Sequence, residues 1–104
     1  MTTEIEYNKA EYQARAILEN LTKAYNDSEM YEYFNDTLDI NWLLNSDKTF
    51  KAVRLLVAFG GPNIWIDTET QMIEVYWWND TFKLHIPSEI VEAIDEQFEE
   101  IFDC

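Results

Sequence analysis

Seven carboxylates stand between Pro87 and Cys104 with no lysine or arginine among them: Glu89, Glu92, Asp95, Glu96, Glu99, Glu100 and Asp103. Acids at this density suit three kinds of chemistry: paired acid–base hydrolysis, coordination of a hard cation, or imitation of a chain of phosphates. The first two need side chains that converge. A calcium loop of the EF-hand kind places acids at alternate positions closed by a glycine, and no glycine follows an acid anywhere in this chain. Read at 100° per residue, Ile90, Val91, Ile94, Phe98, Ile101 and Phe102 share an arc of roughly 120°, and the acids take the opposite arc. The spacing predicts a helix with one core-facing side and one uniformly anionic side.

A second acidic cluster runs from Asp27 to Asp39, where Asp27, Glu29, Glu32, Asp36 and Asp39 again have no basic neighbour in sequence. These two segments carry −5 and −7 of a net charge of −14, and the rest of the chain is almost balanced. Charge of one sign in two blocks creates a field that draws basic surfaces and repels nucleic acid and anionic lipid. Direct binding to DNA or to a membrane surface is therefore not expected.

Other catalytic patterns are missing. His85 is the single histidine, and the alternation Phe82, Leu84, Ile86 puts it with Lys83 on the opposite register, the place of a solvated strand residue. No serine or threonine sits in a nucleophile elbow, and the only two glycines, Gly60 and Gly61, lack the lysine of a phosphate loop. One cysteine, Cys104, excludes an internal disulfide and a four-cysteine metal site; it reads as a reduced chain end. We expect neither enzyme activity nor a cofactor or metal.

A chain of 104 residues with 47% hydrophobic residues fits a single domain over 1–104. Trp42, Trp65, Trp77 and Trp78 fall inside patterned apolar segments, which is unlike an acidic disordered tail. No apolar run approaches the length of a bilayer span, and MTTEIEYNK lacks the basic start and apolar stretch of a signal peptide, so a cytoplasmic location is expected.

Residues 8 to 25 predict a helix whose buried stripe is Ala10, Ala14, Ile17, Leu18, Leu21 and Tyr25, with Asn8 as N-cap and Glu11 completing a capping box. Asn26, Asp27 and Ser28 stop it. Met30 to Phe34 reads as a short helix. From Leu38 the period changes to two, giving a strand to Asn45, a turn at 46–48, and an apolar strand from Phe50 to Phe59. Gly60-Gly61-Pro62 predicts a tight reversal, followed by strands at 63–67, 72–78 and 82–86, with turns at 68–71 and 79–81. Pro87 and Ser88 open the terminal helix, with Ser88 as N-cap. The fold class is α+β: an antiparallel sheet of four to five strands, flanked by an N-terminal and a C-terminal helix that pack most simply on one sheet face.

On the terminal helix, Glu92, Asp95, Glu96, Glu99 and Asp103 would cover about 16 Å of axis, or roughly 4 Å per charge. One DNA strand carries a phosphate about every 3.4 Å. Such a row could replace phosphates in a groove of lysines and arginines.

The stretch VRLLVAFGGPNIWIDT, then EVYWW and the acidic IDEQFEEIFDC, resembles small acidic proteins of bacteriophages and other bacterial mobile elements, over roughly residues 37 to 104. The resemblance implies anti-defence activity, as an anti-CRISPR or antirestriction protein in the bacterial cytoplasm. Its partner would be a basic nucleic-acid-binding protein such as a CRISPR effector or restriction enzyme. Within that core, Gly60, Gly61 and Pro62 are expected to shape the turn and Trp65 to fill the core. Two other readings compete: an immunity protein or antitoxin facing a basic toxin, and an oligomeric module. For the module, Tyr76 and Trp78 would form a self-association patch on a helix-free sheet face, as in a homodimer, although both faces are expected to be covered.

Overall fold

The computed structural model describes residues 9 to 103. Three helices and five strands follow one another: α1 Ala10–Asn26, α2 Met30–Tyr33 running into a 3₁₀ turn at Phe34–Asp36, β1 Asp39–Leu44, β2 Phe50–Ala58, β3 Asn63–Asp67, β4 Met72–Trp77, β5 Asp80–His85 and α3 Ser88–Phe102. The strands form one antiparallel meander in the order β1-β2-β3-β4-β5, so every neighbouring pair is joined by a short reversal. The expected α+β class and helix–sheet–helix order are what the chain adopts.

Strand register sorts the side chains cleanly. Ile40 and Trp42 oppose Leu55 and Val53, Leu55 opposes Ile66, Ile66 opposes Ile73 and Val75 opposes Phe82, so these residues share one face. Both long helices pack on it, α1 over β4 and β5 and α3 over β2. Ala10, Ala14, Leu21 and Ala24 form the buried stripe of α1, the small alanines letting the helix approach the sheet closely. Ile90, Val91, Ile94 and Phe98 do the same for α3. Phe98 stands edge-on to Phe34 at 5.5 Å and tilted to Trp42 at 6.1 Å, joining α3 to the 3₁₀ turn and to β1. Complete burial of a side chain this size contributes about 2–3 kcal/mol. Ile101, expected on the apolar arc, is 44% exposed.

Helix ends differ from expectation. The N-cap of α1 is Lys9, whose side chain makes no capping bond, and Asn8 lies outside the described residues. Asp80 supplies the missing acceptor: its Oδ2 takes the Ala10 N–H at 2.8 Å. For α3 the N-cap is Pro87, and its carbonyl accepts from the Ile90 and Val91 N–H groups, which leaves Ser88 as the first helical residue. The stop of α1 falls as expected at 26–28, where Ser28 adopts φ +59° and the Glu29 N–H returns to the Ala24 carbonyl at 2.8 Å. Only Gly60 of the glycine pair uses left-handed backbone, at φ +102°. The last hairpin is tighter than expected: Trp77 pairs with Asp80, so the turn is Trp78-Asn79.

Candidate functional site

The helical layer holds most of the uncompensated charge. Glu89, Glu92, Glu96, Glu99, Glu100 and Asp103 are all exposed, and at 100° per residue they share an arc of about 100° on the side of α3 away from the sheet. Helix α2 packs against both α1 and α3, so Glu29, Glu32 and Asp36, all exposed, belong to the same layer. Among the described residues no ion pair reaches any of these nine acids; the pairs are Arg15–Glu11, Lys23–Asp27, Lys51–Glu69 and Arg54 with Asp67 and Glu74.

Three of the twelve expected partner-binding acids stand apart. Asp27 is paired with Lys23 at 2.7 Å, and the hydrogen bond and charge of Asp27 raise the lysine pKa. Asp39 opposes Leu56 in register and so projects from the other face of the sheet. Asp95 is not part of the exposed row. Its Oδ1 is buried with no hydrogen-bond partner, and its pKa is raised, chiefly by burial and further by the charge of Glu99, against the pull of the Thr68 hydroxyl. That hydroxyl has one proton and lies 3.2 Å from the Val53 carbonyl, so the carbonyl and Asp95 compete for it. The reason is angular: on a helical wheel Asp95 falls about 20° from Phe102, at the margin of the buried arc. Glu100 replaces it in the row, so five exposed carboxylates still span residues 92–103, about 16 Å of axis.

The opposite face of the sheet carries no helix among the described residues, contrary to the expectation that both faces are covered. Trp65 lies on this face, not in the helix-side core, because it opposes Leu56 and Glu74 in register. The Arg54 guanidinium sits 4.3 Å from the Trp65 ring centroid. Its Nη1 donates to Asp67 Oδ2 at 3.2 Å and to Glu74 Oε1 at 3.0 Å. Glu74 Oε1 also accepts the Tyr76 hydroxyl at 2.7 Å. Asp67 and Glu74 are only 6% and 5% exposed, so this is a buried charge cluster on an uncovered surface. Burial opposes the charge on Arg54, but the hydrogen bonds and charges of Glu74 and Asp67 outweigh it and raise the arginine pKa. The Tyr76 phenol is raised too, first by its bond to Glu74 and then by burial. The parity of Trp65 between Ile64 and Ile66 would have placed it here; the partners of Arg54 depend on cross-strand register, which sequence does not display.

A shallow groove of about 240 Å³ lies between α1, the 3₁₀ turn and β2, lined by Ile17, Asn20, Tyr33, Asp36, Thr37 and Val57. Burial pushes the Tyr33 phenol up to about 12, so it stays a neutral donor. His85 is exposed at the end of β5. Among the described residues no three His, Cys, Asp or Glu side chains are placed to hold a metal ion, and Cys104 lies outside the described residues. No described helix is long and apolar enough to cross a membrane.

The chain matches no protein-family model, no curated protein and no solved structure.

Proposed function

We propose that this chain is a binding protein whose acidic helical layer occupies the nucleic-acid groove of a basic host protein, a CRISPR effector or restriction nuclease, and so acts as an anti-defence inhibitor in the bacterial cytoplasm. One observation carries the reading: α2 and α3 pack together, so the two acid-rich segments of the sequence share one layer of the fold, with nine carboxylates that make no ion pair among the described residues. A net charge of magnitude 2 to 8 is ample for solubility of a small domain, and this chain carries −14. Self-repulsion of that size disfavours the compact state, which argues for a compensating role. Binding would be driven by steering and by release of the counterions held on both surfaces, and it would weaken steeply with salt.

The test is capture from a bacterial lysate on tagged protein, eluted by a salt gradient, then inhibition of the captured nuclease by wild type and by the triple variant Glu92→Lys, Glu96→Lys, Glu99→Lys. Loss of inhibition in the triple variant supports the reading. Inhibition that survives charge reversal removes the acidic helix from the mechanism.

A further inference from the structure

We infer that the helix-free sheet face is an interface between two copies of this chain. A solvated face of an antiparallel sheet normally alternates out as polar residues. Here the three inner strands place Leu56, Trp65, Met72 and Tyr76 on that face around the Arg54, Asp67 and Glu74 cluster, while the edge strands place Asp39, Asn41 and Leu43 on one side and Thr81, Lys83 and His85 on the other, a rim polar but for Leu43. None of those four apolar side chains belongs to the helix-side core. An apolar centre with a polar rim is the anatomy of a protein interface, and tryptophan, tyrosine and arginine are the residues that dominate binding energy at its middle.

Charge selects the occupant. Residues 40–86, which supply all of the face except Asp39, hold five acids and four bases, and one of those acids, Asp80, turns to the helix side to cap α1. The face is therefore close to neutral, whereas the helical layer behind it carries the protein's excess negative charge. A two-fold interface sets a patch against itself, which requires both signs in nearly equal number on that patch. Arg54 and Lys83 against Asp39, Asp67 and Glu74 come within one charge of this requirement. The charges in the apolar centre are already paired within each copy, so contact would not strand an unpaired ion. With sheets stacked about 10 Å apart, the two acidic layers point outward on opposite sides, beyond a Debye length of about 8 Å at physiological salt.

A five-stranded face of this length offers on the order of 400 Å² in projection, below the roughly 800 Å² per partner of a standard interface. The dimer should therefore be concentration-dependent. Sedimentation velocity of the full chain, from about 5 to about 500 µM, should show a monomer–dimer equilibrium with a dissociation constant in the micromolar range. Leu56→Arg, which puts a cation beside Trp65 on this face, should shift it to monomer. Lys83→Gln, which removes an exposed cation without setting a like charge opposite Glu74, should weaken it severalfold; circular dichroism confirms that both variants are folded. A monomer at the highest concentration overturns the proposal. So does a dimer indifferent to both substitutions, or one lost on Trp78→Ser, which would place the contact at the hairpin tip. The dimer should persist at high salt where capture of a basic protein fails, so the two readings fail separately.

Discussion

Asp80, the first residue of β5, accepts the Ala10 N–H at 2.8 Å and so caps a helix seventy residues earlier in the chain. Helix N-termini leave N–H groups without partners, and a carboxylate there also meets the positive end of the helix dipole. Lys9 offers no side-chain acceptor, so the β4–β5 hairpin fixes where α1 begins.

Asp80→Ala should therefore lower stability by about 1 kcal/mol, and Asp80→Asn by only part of that, since asparagine keeps an acceptor. Urea denaturation gives the size, and hydrogen exchange should show lost protection confined to the first turn of α1. Unchanged stability in Asp80→Ala would mean that water caps the helix equally well.

The Arg54 cluster makes a different prediction. Asp67 and Glu74 are nearly inaccessible, and one guanidinium nitrogen serves both. Arg54→Met removes the cation that both carboxylates share and should destabilise by about 3 kcal/mol, the lower end for a broken buried pair because Arg54 itself is 28% exposed. Adding Glu74→Gln should recover more than about 1 kcal/mol of that loss, a coupling that a double-mutant cycle reads directly. Strict additivity would show that the two side chains do not sense each other.

The legible parts of this fold were those written in local pattern. Strand periodicity, the Gly60-Gly61-Pro62 reversal and the stop at 26–28 place the elements within a residue or two. The less legible parts depend on tertiary geometry. Asp80 as a cap and Arg54 as a shared cation follow from strand pairing, which no local window contains. For Trp65 two signals conflict: large aromatics suggest core, yet its alternation with Ile64 and Ile66 places it on the other face. Of the candidate site, the acidic row was legible except at its margin, where a single wheel position decides whether a carboxylate meets water or the sheet.

Trp78 occupies the first position of the two-residue β4–β5 turn at φ +53° and is 89% exposed. A bulky L-residue in left-handed backbone is strained by about 1–2 kcal/mol, and glycine is the residue such turns favour. Trp78→Gly should accordingly raise the melting temperature by a few degrees, since little packing is lost with so exposed a ring. A lower melting temperature would show that the indole contributes packing that exceeds the strain.

Asp95 ties the acidic helix to pH. Burial is the main cause of its raised pKa, with Glu99 adding to it and Thr68 opposing it, so the fold favours the protonated acid relative to the unfolded chain. A group of this kind contributes stability that is complete below its unfolded pKa, near 3.8, and is lost as pH rises through the higher folded value. At pH 7 the ionised carboxylate is consequently a liability, with Oδ1 buried and unpartnered. Asp95→Asn removes the charge, retains an oxygen that can accept from Thr68, and should stabilise the protein at neutral pH by on the order of 1 kcal/mol. The gain should shrink as pH falls and wild-type Asp95 takes up its proton as well. Glu99→Gln relieves only the secondary repulsion and should give a smaller gain with the same pH trend. Thermal melts of the three proteins from pH 4 to pH 8 decide the matter: a benefit from Asp95→Asn that does not depend on pH would mean that packing, not ionisation, governs this position.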